Sequence, residues 1–173
     1  MGAVPGTRPE RLLTNPPLAS MDRGSAEALI HDLIAALNAH ALDRAASFVA
    51  GDYRGVDLSR SRRCHGPEQV RQSWQEWGQA FPDFDLAVRE IIIGEEQVTV
   101  LWTLDGTHQG AFLHVPATQR PVHITGVSLL RLREARITRG MHLWDMAGML
   151  RTMKLLPDLP GPPRDALHTR WPA

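Results

Sequence analysis

Apolar residues recur along the chain with two different periods. After Ser25, the residues Leu29, Ile30, Leu33, Ile34 and Leu37 follow at helical spacing, with cap-type residues ahead of them, and predict a first helix. Leu42 to Val49 reads as a second, short helix. Asp52 to Ser61 is polar and predicts a loop or a short edge strand. Gly66-Pro67 opens a third helix, because proline suits a helix's first turn; it runs to about Ala80 with Val70, Trp74 and Trp77 on one side. Beyond Pro82 the period falls to two. Phe84 to Ile92 alternates, turns at Gly94-Glu95-Glu96, and alternates again from Val98 to Leu104. Val122–Arg133 and Arg136–Trp144 predict two more strands, and the short turns make all four antiparallel neighbours. Asp145 is placed to cap a last short helix through Met153. Helices followed by long strands imply an α+β domain, a curved sheet wrapped around helices.

Proline marks the ends. Nine of the thirteen prolines lie in residues 1–22 or 157–173. Proline breaks helices and cannot donate to a sheet. The organisation expected is a Pro-rich N-terminal extension over 1–22, a folded domain over 23–156 and a Pro-rich C-terminal tail over 157–173.

Composition narrows the functional classes. The chain has 173 residues, of which 43% are hydrophobic and 22% charged, as in ordinary globular proteins. Nineteen Lys and Arg balance nineteen Asp and Glu. That zero net charge speaks against nucleic acid, which calls for a basic surface. No apolar run approaches a membrane span, and the first residues have no apolar signal-peptide core. The expectation is a soluble cytoplasmic protein with no nucleic-acid or membrane partner. A single cysteine, Cys64, excludes an internal disulfide and a multi-Cys zinc site. The eight histidines show no tight metal-ligand spacing, so no metal site is expected. Phosphate loops, His-Glu-x-x-His and Gly-x-Ser-x-Gly are also missing from the sequence.

Four phrases point further: Ala80-Phe81-Pro82-Asp83, Gly106-Thr107-His108-Gln109-Gly110, Val115-Pro116-Ala117-Thr118, and Trp144-Asp145-Met146-Ala147-Gly148-Met149-Leu150. In this order the chain resembles the SnoaL-like polyketide cyclases of the NTF2-like superfamily over about residues 25–156. The resemblance implies a conical α+β barrel, with a bent antiparallel sheet around three helices and a deep apolar pocket. It also implies a homodimer or homotetramer and no organic cofactor or metal. In the family's aldol-type cyclases, a His and an Asp on the last two long strands carry protons. Here those places hold Ser128 and His142, so the fold transfers while the chemistry changes.

Strand alternation supports this pair. Gly126, Ser128 and Leu130 share one face, as do Gly140, His142 and Trp144. A turn near Glu134-Ala135 sets Ser128 opposite His142. His142 suits a general base at neutral pH, or is a satisfied histidine on a sheet face. Asp145 either tunes that imidazole or caps the last helix. His108 either donates to a substrate oxygen at the pocket mouth or holds a turn. His123 falls on the opposite face and reads as structural or interfacial. Tyr53 orients a substrate oxygen or packs; Asp57 is an acid–base carboxylate or a turn residue. Trp74, Trp102 and Phe112, with Leu130, are core or pocket lining. Cys64-His65 reads as loop filler.

Three functions remain open. The first is a cofactor-independent cyclase of bacterial secondary metabolism, closing or rearranging a ring in a hydrophobic polyketide-like molecule by acid–base catalysis. The second is an epoxide-opening cyclase or hydrolase, or a cofactor-free hydroxylase, using the same pocket. The third is a non-catalytic ligand-binding protein.

Overall fold

The helices start where local chemistry can satisfy their exposed N–H groups. In this computed structural model, which describes residues 22–95 and 97–158, α1 (Arg23–Asn38) is capped by Asp22, whose carboxylate accepts from Ser25 N at 2.9 Å and Ser25 Oγ at 2.7 Å. It buries Leu29, Ile30, Leu33 and Leu37. α2 (Leu42–Ser47) is short, and α3 (Gly66–Ala80) carries proline in its first turn as expected. The strands are β1 (Val49–Asp57), β2 (Arg62–His65), β3 (Asp85–Ile93), β4 (Val98–Thr107), β5 (Pro121–Arg133) and β6 (Arg136–Trp144). A last helix, α4 (Met146–Thr152), is capped by Asp145, which accepts from Gly148 N at 2.7 Å. The proline-rich ends lie outside the described residues, apart from 22, 157 and 158.

The sheet is six-stranded and unclosed, in the order β2-β1-β6-β5-β4-β3. It departs from the sequence reading in three ways. The polar stretch 52–61 holds most of β1, an inner strand between β2 and β6. Hydrophobic alternation could not reveal β1, because its inward residues include Tyr53, Gly55 and Asp57, which line a cavity. Its first residue is Val49, which the sequence pattern assigns to the second helix. β2 is an additional strand, and it carries Cys64, so that residue is not loop filler. Finally, β1 runs parallel to β6, so the sheet is mixed rather than wholly antiparallel. α1 packs on β3, α3 on β1 and β2, and α2 bridges the two helices; α4 is a fourth helix, against β5.

Three of the four motif phrases meet in one knot beside the end of α3. Ala80 O accepts from both Gln109 N and Gly110 N, at 2.9 and 3.0 Å. Asp83 Oδ1 accepts from Thr107 N at 2.7 Å. Thr118 N donates to His108 Nδ1 at 3.2 Å. A side chain on Gly110 would overlap the backbone of Gln79, so only glycine permits this approach. These phrases therefore record how the chain leaves α3 and closes on β4.

The β5–β6 hairpin turns at Glu134 and Ala135, with φ of 51° and 55°. Two successive positive φ values match the twist of a hairpin, at a cost for residues other than glycine or asparagine. From this turn Arg133 pairs with Arg136 and Leu132 with Ile137. One extra residue then enters β6: Arg131 pairs with Arg139, Leu130 with Gly140 and Ser128 with His142. Thr138 is the surplus residue of this bulge, and its Oγ1 donates to Arg131 O at 3.2 Å. Replacing Glu134-Ala135 by Asn-Gly should relieve the turn and raise stability by ~1 kcal/mol. Thermal unfolding checks this; an unchanged or lower melting temperature would contradict it.

Candidate active site

Glycines on the two central strands make room for two aromatic rings. Trp102 on β4 faces Gly126 on β5, and a side chain at Gly126 would overlap the indole ring. Gly55 on β1 faces Gly140 on β6, and a side chain at either would strike the Tyr53 hydroxyl. Each ring therefore lies across a glycine and brings its polar tip to the same place from opposite sides. There Ser128 and His142 stand as register partners.

The four groups form one hydrogen-bonded chain. Trp102 Nε1–H donates to Ser128 Oγ at 3.0 Å. Ser128 Oγ lies 2.8 Å from His142 Nδ1, and His142 Nε2 lies 3.3 Å from the Tyr53 hydroxyl. Indole only donates, whereas both hydroxyls can donate or accept. The imidazole proton can thus sit on either nitrogen, with the hydroxyls turning to suit. Burial pushes the His142 pKa below its ordinary 6.5, opposed by nearby Asp57 and assisted by Arg60. The ring is neutral at neutral pH. Burial pushes the Tyr53 pKa well above its ordinary value, with Cys64 adding to the effect, so the phenol keeps its proton.

These groups line a cavity of about 170 Å³ between α1, α3 and the sheet. Trp74, Trp102 and Leu130 line it, as expected. Asp57 also lines it, but its carboxylate is already occupied by donors. It accepts from Trp144 Nε1 at 3.1 and 3.2 Å, Arg60 N at 3.1 Å and Arg60 Nε at 2.7 Å. Asp57 is thus an anchor that sits beside His142 in the parallel β1–β6 register. Arg60 and Ser73 also line the cavity, and sequence reasoning missed both. The Asp57/Arg60 spacing of three within a polar stretch was the available signal, and it reads equally as a surface turn.

Three candidate site residues take the structural one of their two readings. His108 is fully buried rather than at the pocket mouth; its ring packs on Phe81, its Nδ1 meets Thr118, and its Nε2 has no hydrogen-bond partner. Phe112 is behind the cavity lining, against Trp77, Phe81 and Trp144. Asp145 is exposed and caps α4, and the carboxylate beside His142 is Asp57 instead. His123 is exposed and bonded to Asp105 at 2.6 Å. Among the described residues, no three His, Cys, Asp or Glu side chains converge as metal ligands would, and no helix is long and apolar enough to cross a membrane.

The SnoaL-like polyketide cyclase family model matches residues 28–153. No curated protein matches the chain. Among solved structures, AclR from Streptomyces galilaeus, a candidate hydroxylase, is 25% identical with a TM-score of 0.71, over 80% of this chain and 87% of that one. IdmH from Streptomyces antibioticus, a candidate polyketide cyclase, is 24% identical with a TM-score of 0.66, over 74% and 97%. A Catenulispora acidiphila protein described as having a ketosteroid isomerase-like fold is 18% identical with a TM-score of 0.65, over 74% and 93%.

Burial holds His108 as well as His142 below the ordinary 6.5. The unfolded chain therefore takes up these protons first as pH falls. Stability should be flat between about pH 7 and 8 and decline as pH drops through 6.5 toward the depressed folded values. Urea midpoints across this range check the sign, and a His108→Gln variant should show a shallower slope than the parent.

Proposed function

Because the chain belongs to the SnoaL-like polyketide cyclase family, we propose that it closes or rearranges a ring in a hydrophobic, polyketide-like small molecule by cofactor-independent acid–base chemistry. The observation that carries this reading is the Ser128–His142–Tyr53 chain on the cavity wall. With its proton on Nδ1, held by Ser128, the imidazole turns the Nε2 lone pair toward the cavity. The 3.3 Å contact to Tyr53 is long enough for a substrate to compete for that lone pair. Nε2 removes a proton α to a carbonyl while the Tyr53 O–H donates to that carbonyl oxygen. The enolate carbon attacks a second carbonyl in the same molecule and forms the ring bond. The resulting alkoxide takes back the proton from the imidazolium. Apolar walls exclude water and strengthen both contacts.

A second reading uses the same atoms for epoxide opening. Tyr53 would protonate the epoxide oxygen while His142 deprotonates the attacking hydroxyl. Imidazole in place of a carboxylate favours it. Product analysis with an aldol-type polyketide and with an epoxy alcohol separates the two readings. A purely ligand-binding role is disfavoured by an open cavity into which both Ser128 and His142 face.

His142→Ala should lose turnover by ~10²-fold or more while keeping its melting temperature within a few degrees. Tyr53→Phe should lose ~10-fold or more, mainly in kcat. Steady-state kinetics beside thermal melts check both, and unchanged turnover in His142→Ala would sink the assignment.

A further inference from the structure

Among the described residues, Arg60 is the one cationic side chain of the cavity wall, and the proposed chemistry leaves it unused. Its side chain is only 6% exposed. Nε donates to Asp57 Oδ2 at 2.7 Å, Nη1 to Glu76 Oε2 at 3.3 Å and Nη2 to Ser73 Oγ at 2.8 Å. The guanidinium sits 5.8 Å from the ring centres of both Trp77 and Phe112. These contacts hold its plane still. A guanidinium has five N–H donors, and the three contacts leave one N–H on each of Nη1 and Nη2. Ser73 accepts from Arg60, which leaves its own O–H free to donate. Both residues line the cavity. Fixed donors on a buried side chain are costly unless the occupant supplies an acceptor.

Charge selects which acceptor. Arg60 and Arg62 are matched by Asp57 and Glu76, through the Arg60–Asp57, Arg60–Glu76 and Arg62–Glu76 pairs. The cluster is balanced, so it has no surplus positive charge to hold a full anion. It suits a polarisable neutral oxygen. Arg60 also stands near His142, since Asp57, which it grips, is the register partner of that histidine.

We propose that Arg60 and Ser73 form an acceptor subsite that holds a ketone oxygen conjugated to the substrate's ring system, and so orients the substrate against His142. This deepens the function proposed above, and rests on it for taking the cavity as the substrate site. An aryl ketone would present its oxygen to Arg60 Nη1–H and Nη2–H and to the Ser73 hydroxyl, with its ring against Trp74 and Trp77.

The test uses two probes of the same shape, 2-acetylnaphthalene and 2-isopropenylnaphthalene, which differ by O against CH₂. Titration calorimetry on the full chain should show the ketone binding at least ~10-fold tighter, the scale of a hydrogen bond to a charged group. In Arg60→Gln that preference should fall to within ~2-fold while hydrocarbon affinity stays level. Ser73→Ala leaves the Asp57 and Glu76 contacts in place and serves if Arg60→Gln does not fold; it should lose part of the preference. His142→Ala should keep the full preference, so that failure of the catalytic reading and failure of this one give different results. Equal binding of the two probes by the wild type, or a preference that survives both Arg60→Gln and Ser73→Ala, overturns the proposal. Binding of 2-naphthoate ~10-fold tighter than the ketone would also overturn it, since an anion would then be the favoured occupant.

Discussion

The candidate site depends on one inserted residue. A two-residue turn at Glu134-Ala135 pairs Arg133 with Arg136, and an uninterrupted ladder from there would set Ser128 opposite Met141. The bulge at Thr138 shifts the register by one and places His142 there instead. Because strand side chains alternate, the shift also decides which half of β6 faces inward. Ile137 points into the core before the bulge, whereas Gly140, His142 and Trp144 point in after it. Met141 and Leu143 are consequently left on the exposed face. The Tyr53 ring, the Asp57–Trp144 contact and the Ser128–His142 bond all follow from that change of parity.

Much of the architecture was legible because burial imposes periodicity. α1, α3 and the four long strands bury one face against the core, and their apolar residues repeat accordingly. β1 was hidden for the complementary reason, since its inward face lines a cavity and is partly polar. The Ser128–His142 pairing was anticipated by counting from the turn, yet that count omits the bulge on which the pairing rests. A bulge is a backbone event with no fixed residue signature. His108 left two readings open in sequence, and the structure takes the turn-holding one, because its phrase belongs to the knot near the end of α3. A histidine serving as a buried acceptor for a backbone N–H looks the same in sequence as one facing a ligand. Arg60 was overlooked because only the folded turn shows that its guanidinium lies inward, between two aromatic rings.

The cavity divides its polar groups into two sets. On the sheet side the groups are neutral: two hydroxyls and an imidazole, which can pass protons, and an indole, which only donates a hydrogen bond. At the β1–β2 turn, formal charges are locked into pairs around Arg60. The separation has an electrostatic consequence. The Asp57 carboxylate, saturated by Trp144 and Arg60, offsets part of the cost of charging His142, while Arg60 acts in the other direction. The imidazole is therefore kept neutral at rest without being barred from carrying a transient charge.

The hydrogen-bonded chain on the sheet wall has a further property that comes from its last member. An indole N–H gives a hydrogen bond but cannot receive one. Trp102 thus makes the chain a blind alley, in which hydroxyls can rotate and the imidazole can change tautomer but nothing passes out through the far side. Whatever proton enters from the cavity has to leave by the way it came. Such a wall can lend a proton and reclaim it, and any exchange with solvent goes through the mouth of the cavity rather than through the sheet.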